Sequence, residues 1–219
     1  MQKLNTIENI NLSFLKGILI DIDDTLYSYK RPHESAVREC FNQFIDQFSI
    51  SITYEDFFLA YTESRLKIKE SLEPQGSCRS RLFAFDALFR KYNIEFAYHH
   101  AYLYENIYWN TFFLKMKVCE RAFNFLQECK QNKVIVCAVT DMQAHIQVKK
   151  LETLKITDYI NYLASSEEAG AEKPNKKIFN LALKKMKLQK DEVVMIGDSL
   201  AKDIKGAENF GIKAIHFKA

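Results

Sequence analysis

Gly17-Ile18-Leu19-Ile20-Asp21-Ile22-Asp23-Asp24-Thr25-Leu26 is the stretch on which the reading of this chain turns. A short apolar run ends in a burst of acids, the pattern of a buried strand that surfaces at its C-terminal end. In a parallel sheet, ligands bind just outside that end. Asp21 and Asp23 are two residues apart, so on extended chain their side chains share one face while Ile22 points the other way, into packing. Asp24 and Thr25 suit the turn that follows. Two carboxylates converging at a strand mouth repel and desolvate each other unless a cation lies between them. The stretch therefore reads either as a Mg²⁺ site with a carboxylate nucleophile or as an acidic, solvated turn after a core strand.

Downstream the texture is helical. Pro32 suits a helix start, and Val37, Phe41, Phe44, Ile45 and Phe48 recur at three and four as one apolar stripe. Thr53 with Asp56 marks a second start, continued by Phe57, Phe58, Tyr61 and Leu66. Pro74, Gly76 and Ser77 break the pattern. A third helix carries Leu82, Phe85, Leu88 and Phe89, and a fourth runs from about Glu95 to Lys115. Residues 29–115 thus read as an inserted, all-helical domain whose aromatics, at core spacing, form a core rather than a cofactor box. From about residue 116 strands and helices alternate. Helices are expected over 120–132, 143–153, 175–186 and 200–210, the last closed by Gly211. Strands are expected over 134–139, 159–164, 193–196 and 214–217. This alternation predicts a doubly wound, Rossmann-like parallel sheet built from residues 1–28 and 116–219, with residues 1–16 as a loosely held lead-in.

Bulk properties narrow the function. The 219 residues are 47% hydrophobic and 27% charged, enough for a sizeable core. Thirty-one basic against 28 acidic residues leave a net charge of +3, too balanced to argue for nucleic acid. Lys184, Lys185 and Lys187 read as a solvated helix face. The five cysteines, Cys40, Cys78, Cys119, Cys129 and Cys137, are odd in number and widely spaced, which favours reduced packing residues. Neither a signal peptide nor a membrane span is visible, so the expected location is cytoplasmic.

Three strand mouths carry polar residues: Asp21 with Asp23, Thr140 with Asp141, and Asp198. If the strands are parallel, all lie at one edge of the sheet. Lys173 sits in the loop before Pro174, and Asp203 in the first turn of the helix after Gly197-Asp198-Ser199. Each has a bland alternative: a strand-end hydroxyl, a loop lysine, a helix N-cap, a first-turn acid. Their joint order favours phosphoryl chemistry, which needs hard oxygen ligands for a metal, a hydroxyl, N–H and fixed positive charge for phosphoryl oxygens, and a proton donor for the leaving alcohol.

Asp21-Ile22-Asp23-Asp24-Thr25-Leu26 resembles the first motif of the haloacid dehalogenase superfamily. Val139-Thr140-Asp141 resembles its second, Glu172-Lys173-Pro174 its third, and Ile196-Gly197-Asp198-Ser199 with Asp203 its fourth. The helical block falls where some members insert a helical cap. The resemblance implies Asp21 as nucleophile, forming an aspartyl-phosphate, and Asp23 as the acid and then the base. It implies Mg²⁺ held by Asp21, Asp198 and the Asp23 main-chain carbonyl. Thr140, Lys173 and the Asp141 N–H would grip phosphoryl oxygens, with Asp203 orienting the metal site or Lys173. Asp24 stands where many members have Gly, and Asp141 where many have Asn. A carboxylate at Asp141 must turn away from phosphate. The expected activity is Mg²⁺-dependent hydrolysis of small phosphate monoesters, with phosphomutase, dehalogenase or a silent binding module on the same fold as alternatives. Asp23 and Asp198 together favour phosphate over halide. The substrate itself is not legible. Arg79 and Arg81, with His33 and Tyr27, are candidates for selecting an anionic or polar leaving group, against solvent-facing arginines. A monomer or a homodimer is expected, with no nucleic-acid or membrane partner.

Overall fold

The computed structural model describes Ile7 and residues 10–219, so part of the lead-in lies outside the described residues. Of the rest of that segment, Leu12–Phe14 forms a single 3-10 turn, and Ile7 and Leu12 are buried. The chain divides into two compact units, one running through Ser28 and then Lys117–Ala219, the other Tyr29–Met116.

Strand β1 spans Gly17–Ile20 and all four of its residues are buried. The helical unit follows: α1 (Lys30–Phe48), α2 (Tyr54–Leu72), a 3-10 turn over Gly76–Arg79, α3 (Arg81–Lys91) and α4 (Ala97–Lys115). Helix α2 starts where the Thr53 hydroxyl accepts the Asp56 N–H at 3.2 Å, and α3 where the Ser80 hydroxyl accepts the Phe83 N–H at 3.3 Å. The aromatic stripes do form the core of this unit. Phe44, Phe57, Tyr61, Phe85, Phe89, Tyr104, Tyr108 and Phe112 are all buried. The Phe89 and Tyr104 rings meet edge to face at 4.8 Å, and the Phe44 and Phe57 rings lie tilted to each other at 5.2 Å. Such pairs add about 0.5–1.5 kcal/mol each beyond their buried area.

The α/β unit continues with α5 (Glu120–Gln131), β2 (Ile135–Thr140), α6 (Ala144–Thr153), β3 (Tyr162–Ser165), α7 (Ser166–Ala169), α8 (Lys176–Met186), β4 (Val193–Gly197), α9 (Lys205–Phe210) and β5 (Lys213–His216). The sheet is parallel throughout, in the order β3-β2-β1-β4-β5. A central strand covered on both faces needs a continuous apolar run, and Gly17–Ile20 supplies one. Leu19, Val139 and Met195 join Ile178, Phe179, Ala182 and Met186 of α8 in one buried cluster.

Three expected elements differ. The strand expected over 159–164 begins at Tyr162, because Tyr159 closes a 3-10 turn in which the Ile160 N–H bonds Thr157. The expected helix 200–210 opens as a wider π turn over Leu200–Ile204 before α9, with the Asp203 and Ile204 N–H groups both on the Ser199 carbonyl at 2.9 and 3.2 Å. The last strand lies one residue earlier than expected. The Phe217 N–H instead bonds the Gly197 carbonyl, pinning the chain just beyond it. Gly211 does close α9, at a φ of 90° that glycine adopts freely. All five cysteines are free. Among the described residues no helix is long and apolar enough to cross a membrane.

Candidate active site

The register of the sheet sets the geometry. Ile20 lies level with Ala138 of β2 and Ile196 of β4, and the Asp21 N–H still bonds the Ile196 carbonyl at 2.9 Å. Asp21 therefore emerges beside the ends of both neighbouring strands, which deliver Thr140 and Asp198 to the same edge. The chain then turns sharply. The Leu26 N–H reaches back to the Ile22 carbonyl at 2.9 Å, and Asp24 sits at a φ of 60°, a left-handed conformation that Asp tolerates better than most residues.

Lys173 is the hub. Its ammonium lies 2.5 Å from Asp21 Oδ1 and 2.7 Å from Asp203 Oδ1, and donates to the Val139 carbonyl at 2.8 Å. All three side chains are buried. Burial would lower the lysine's pKa, but Asp21, Asp203 and Asp141 overcome it and hold the group above its ordinary value, firmly cationic. Asp203 is fixed at its other oxygen by the Ser199 N–H, at 2.9 Å. The π turn and Gly197 make room for it, since a Cβ at Gly197 would lie 2.4 Å from the Asp203 carboxylate.

Asp21 has the opposite problem. Burial pushes its pKa up to about 8, with Asp203 and Asp23 adding repulsion that Lys173 only partly relieves. Asp198 is raised as well, by burial and then by Asp203 and Asp24. Oxygens of Asp21, Asp198 and Asp203 all lie within 4.8 Å of one another. These are hard donors in a cluster short of positive charge, the setting a divalent cation fits. With Asp203 already committed to Lys173 and Ser199, Asp21 and Asp198 are the carboxylates best placed to hold it.

Asp23 is held differently. Burial raises its pKa, but Lys150, by charge and hydrogen bond, then Tyr27 and Gln147, outweigh that and keep it below the usual carboxylate range. The Lys150 ammonium stands 2.5 Å from Asp23 Oδ1, and the Tyr27 hydroxyl donates to the same oxygen. Gln147 Nε2 donates to Asp23 Oδ2 at 3.1 Å and to Thr140 Oγ1 at 2.6 Å, tying the acid to the threonine.

The Asp141 carboxylate is held by the loop around Lys173 and by the π turn. Its oxygens take the Lys173 N–H at 2.7 Å and the Lys202 ammonium at 2.8 Å. Lys202 also reaches Glu172, at 2.9 Å, closing the loop against the π turn.

Asp21, Asp23, Thr140, Asp141, Lys173, Asp198 and Asp203 are thus brought to one end of the sheet. Arg79, Arg81 and His33 belong to the helical unit. Arg81 is 4% exposed and His33 is buried too, so neither is a solvent-facing side chain. Tyr27 is buried against Asp23 rather than standing free at an entrance. Sequence reasoning missed Gln147, Lys150 and Lys202. A signal existed for the first two. Ile146, Gln147, Lys150 and Leu151 form the buried stripe of α6, and a Gln and a Lys in an apolar stripe need a partner below.

The model of the haloacid dehalogenase-like hydrolase family matches residues 15–211. Among relatives, the chain is 31% identical to a glyceraldehyde 3-phosphate phosphatase of Pyrococcus furiosus, over 93% of this chain and 81% of that protein. It is 28% identical to a ribulose-1,5-bisphosphate 5-phosphatase of Halopiger xanaduensis, over 92% of this chain and 84% of that one. Its fold is similar to that of a 2-haloacid dehalogenase from Pseudomonas syringae pv. Tomato, with a TM-score of 0.76 at 19% identity over 92% and 86% of the two chains. On the extent of the family match, this chain belongs to the haloacid dehalogenase-like hydrolases.

Proposed function

We propose that this chain is a Mg²⁺-dependent phosphatase of small sugar phosphates that works through an aspartyl-phosphate on Asp21. The observation that carries the reading is the arrangement at the end of β1. A buried carboxylate, short of positive charge, stands beside a lysine locked in its cationic form, with a second, differently tuned carboxylate two residues on. The named activities of the relatives, on glyceraldehyde 3-phosphate and on ribulose 1,5-bisphosphate, support the substrate class.

A Mg²⁺ ion held by Asp21, Asp198 and the Asp23 main-chain carbonyl would supply charge neutralisation, keeping Asp21 ionised and drawing negative charge from the phosphoryl oxygens. The other roles fall to the chain itself. Lys173 and the Thr140 hydroxyl bind phosphoryl oxygens, together with the Asp141 N–H. Asp21 attacks phosphorus, the ester P–O bond breaks, and the departing oxygen takes a proton from Asp23, which is ionised in the free site and receives that proton from the phosphate monoester monoanion as it binds. Asp23, now a carboxylate, removes a proton from the water that hydrolyses the aspartyl-phosphate. Lys150, Tyr27 and Gln147 fix where that carboxyl group points. Asp203 acts through Lys173, orienting its ammonium. Dehalogenation needs neither a leaving-group acid nor a cation, so Asp23 and Asp198 both favour phosphate.

Turnover of p-nitrophenyl phosphate and glyceraldehyde 3-phosphate, with Mg²⁺ and with EDTA, tests the reading. Activity is expected only with metal, and Asp21→Asn should lose about a thousandfold or more of it. Turnover that survives Asp21→Asn removes the nucleophile, and chloride release from chloroacetate in EDTA would transfer the chain to dehalogenation.

A further inference from the structure

The helical unit contains a buried cation that, among the described residues, has no counter-ion. Arg81 is 4% exposed. Its guanidinium donates to the Tyr29 hydroxyl at 2.9 Å and the Arg79 carbonyl at 3.1 Å, and lies over the Tyr108 and Trp109 rings at 5.2 and 5.5 Å. Its Nε is buried without a hydrogen-bond partner. Arg65 stands nearby, with Nη1 3.5 Å from His33 Nε2, and His33 Nδ1 lies 2.8 Å from the Tyr108 hydroxyl. Among the described residues neither arginine is ion-paired. Glu105 of α4 accepts the Leu82 N–H at 3.2 Å.

The other buried cations are treated quite differently. Lys150 and Lys173 each sit 2.5 Å from an aspartate oxygen. A buried charge is costly unless paired, and tyrosine hydroxyls and ring faces offset only part of that cost. Beside Arg81 the fold leaves a cavity of about 110 Å³, lined by Thr62, Arg65, Lys69, Arg79, Ser80 and Arg81. Lys69 is already bridged to Glu73, at 3.0 Å. The Ser80 hydroxyl accepts the Phe83 N–H, which leaves its own hydrogen to donate. Among the described residues the lining thus offers guanidinium forks and hydroxyls and no carboxylate.

We propose that this cavity is an anion site for a phosphate or carboxylate group, gripped by Arg65 and Arg81 with the Thr62 and Ser80 hydroxyls beside them. Planar guanidinium donors suit such groups better than an ammonium does. The anion has two possible sources, free orthophosphate and a second anionic group on the substrate. The site goes beyond the phosphatase reading and its binding test needs no turnover.

Orthophosphate binding to the full chain is measured by calorimetry in EDTA, where the acidic cluster of the α/β unit repels phosphate. Wild type should bind. Arg65→Met, at the half-buried rim, and Arg81→Lys, which keeps the charge but loses the fork, should each weaken binding at least about tenfold, with unchanged circular dichroism. Thr140→Ala should bind as wild type does. No binding in EDTA, or binding lost in Thr140→Ala and kept in the arginine variants, overturns the proposal. A second arm, with Mg²⁺, separates the sources. If the substrate supplies the anion, the ratio of kcat/KM for a bisphosphate or 2-phosphoglycolate over that for p-nitrophenyl phosphate falls about tenfold in Arg65→Met. If free phosphate does, that ratio holds, and orthophosphate alters wild-type turnover in a way Arg65→Met does not reproduce. Binding with neither effect is an adventitious ion only and overturns the proposal. Failure of the phosphatase reading looks different: no turnover of p-nitrophenyl phosphate, with binding in EDTA intact.

Discussion

His33 should make the fold acid-sensitive between pH 6.5 and 5, and removing it should cure that. The imidazole is buried, stacked on Tyr29 at 5.1 Å, with Nδ1 on the Tyr108 hydroxyl. Burial, then the charges of Arg65 and Arg81, push its pKa from 6.5 down to about 3. The unfolded chain takes up the proton near pH 6.5, whereas the folded chain refuses it until about 3. Between these values the unfolded state binds more protons. The histidine's contribution is therefore full above 6.5 and drains away as the pH falls. At pH 5 the folded form is still neutral, so the loss is set by the unfolded value alone. A gap of about 1.5 pH units at ~1.36 kcal/mol each gives about 2 kcal/mol. The assay is urea unfolding at pH 7 and pH 5 in phosphate-free buffer, for wild type and for His33→Asn, whose amide can replace Nδ1 on Tyr108. Of the other groups facing the ring, Arg81 and Tyr108 are held above their ordinary values and Tyr61 is pushed up to about 12, all far from this window. Asp21, whose raised pKa gives a slope of opposite sign, cancels in the difference between the two proteins. Wild type should lose about 2 kcal/mol more than the variant on going to pH 5. Equal losses would refute the reasoning, because the ring would then be taking its proton in the folded state.

Lys150→Met frees the Asp23 carboxyl from the ammonium that aims it, and although its pKa then rises, the misplaced acid no longer meets the leaving oxygen. Turnover of alkyl phosphates, which need a proton on the leaving oxygen, should fall about a hundredfold, and of p-nitrophenyl phosphate about tenfold or less. Equal losses on both would mean that Lys150 serves only the fold. Gly197→Ala pushes a methyl group to 2.4 Å from a carboxylate that Lys173 and the Ser199 N–H hold still. The expected cost is about 1–3 kcal/mol in urea unfolding, with activity falling as Asp203 is displaced, and a wild-type midpoint would show that the loop gives way freely. Asp198→Asn should raise the Mg²⁺ concentration for half-maximal activity at least about tenfold, since one anionic ligand becomes neutral, and an unchanged metal titration would remove Asp198 from the metal site.

Residues that share a strand end were legible in the sequence, because topology alone brings them together. Asp21, Thr140 and Asp198 each close an apolar run, and three parallel strands in adjacent positions can only deliver such residues to one edge. What escaped was the choice of partner across the chain. Helix α6 turns Gln147 and Lys150 inward, and the aspartate that Lys150 meets lies 127 residues away, a distance no local pattern spans. The π turn over Leu200–Ile204 left no mark, since Leu-Ala-Lys-Asp-Ile suits an α-helix equally well and only the needs of the Asp203 carboxylate select the wider turn. Arg81 was legible as a residue and not as an environment, because its ring partners Tyr29, Tyr108 and Trp109 come from opposite ends of the helical unit. The three buried cations show where the boundary lies. Lys173 and Lys150 neutralise aspartates whose spacing already marked them as chemical, so the acid foretells the base. Among the described residues Arg81 has no such acid, and a sequence offers no sign of a charge whose counterpart arrives from solution.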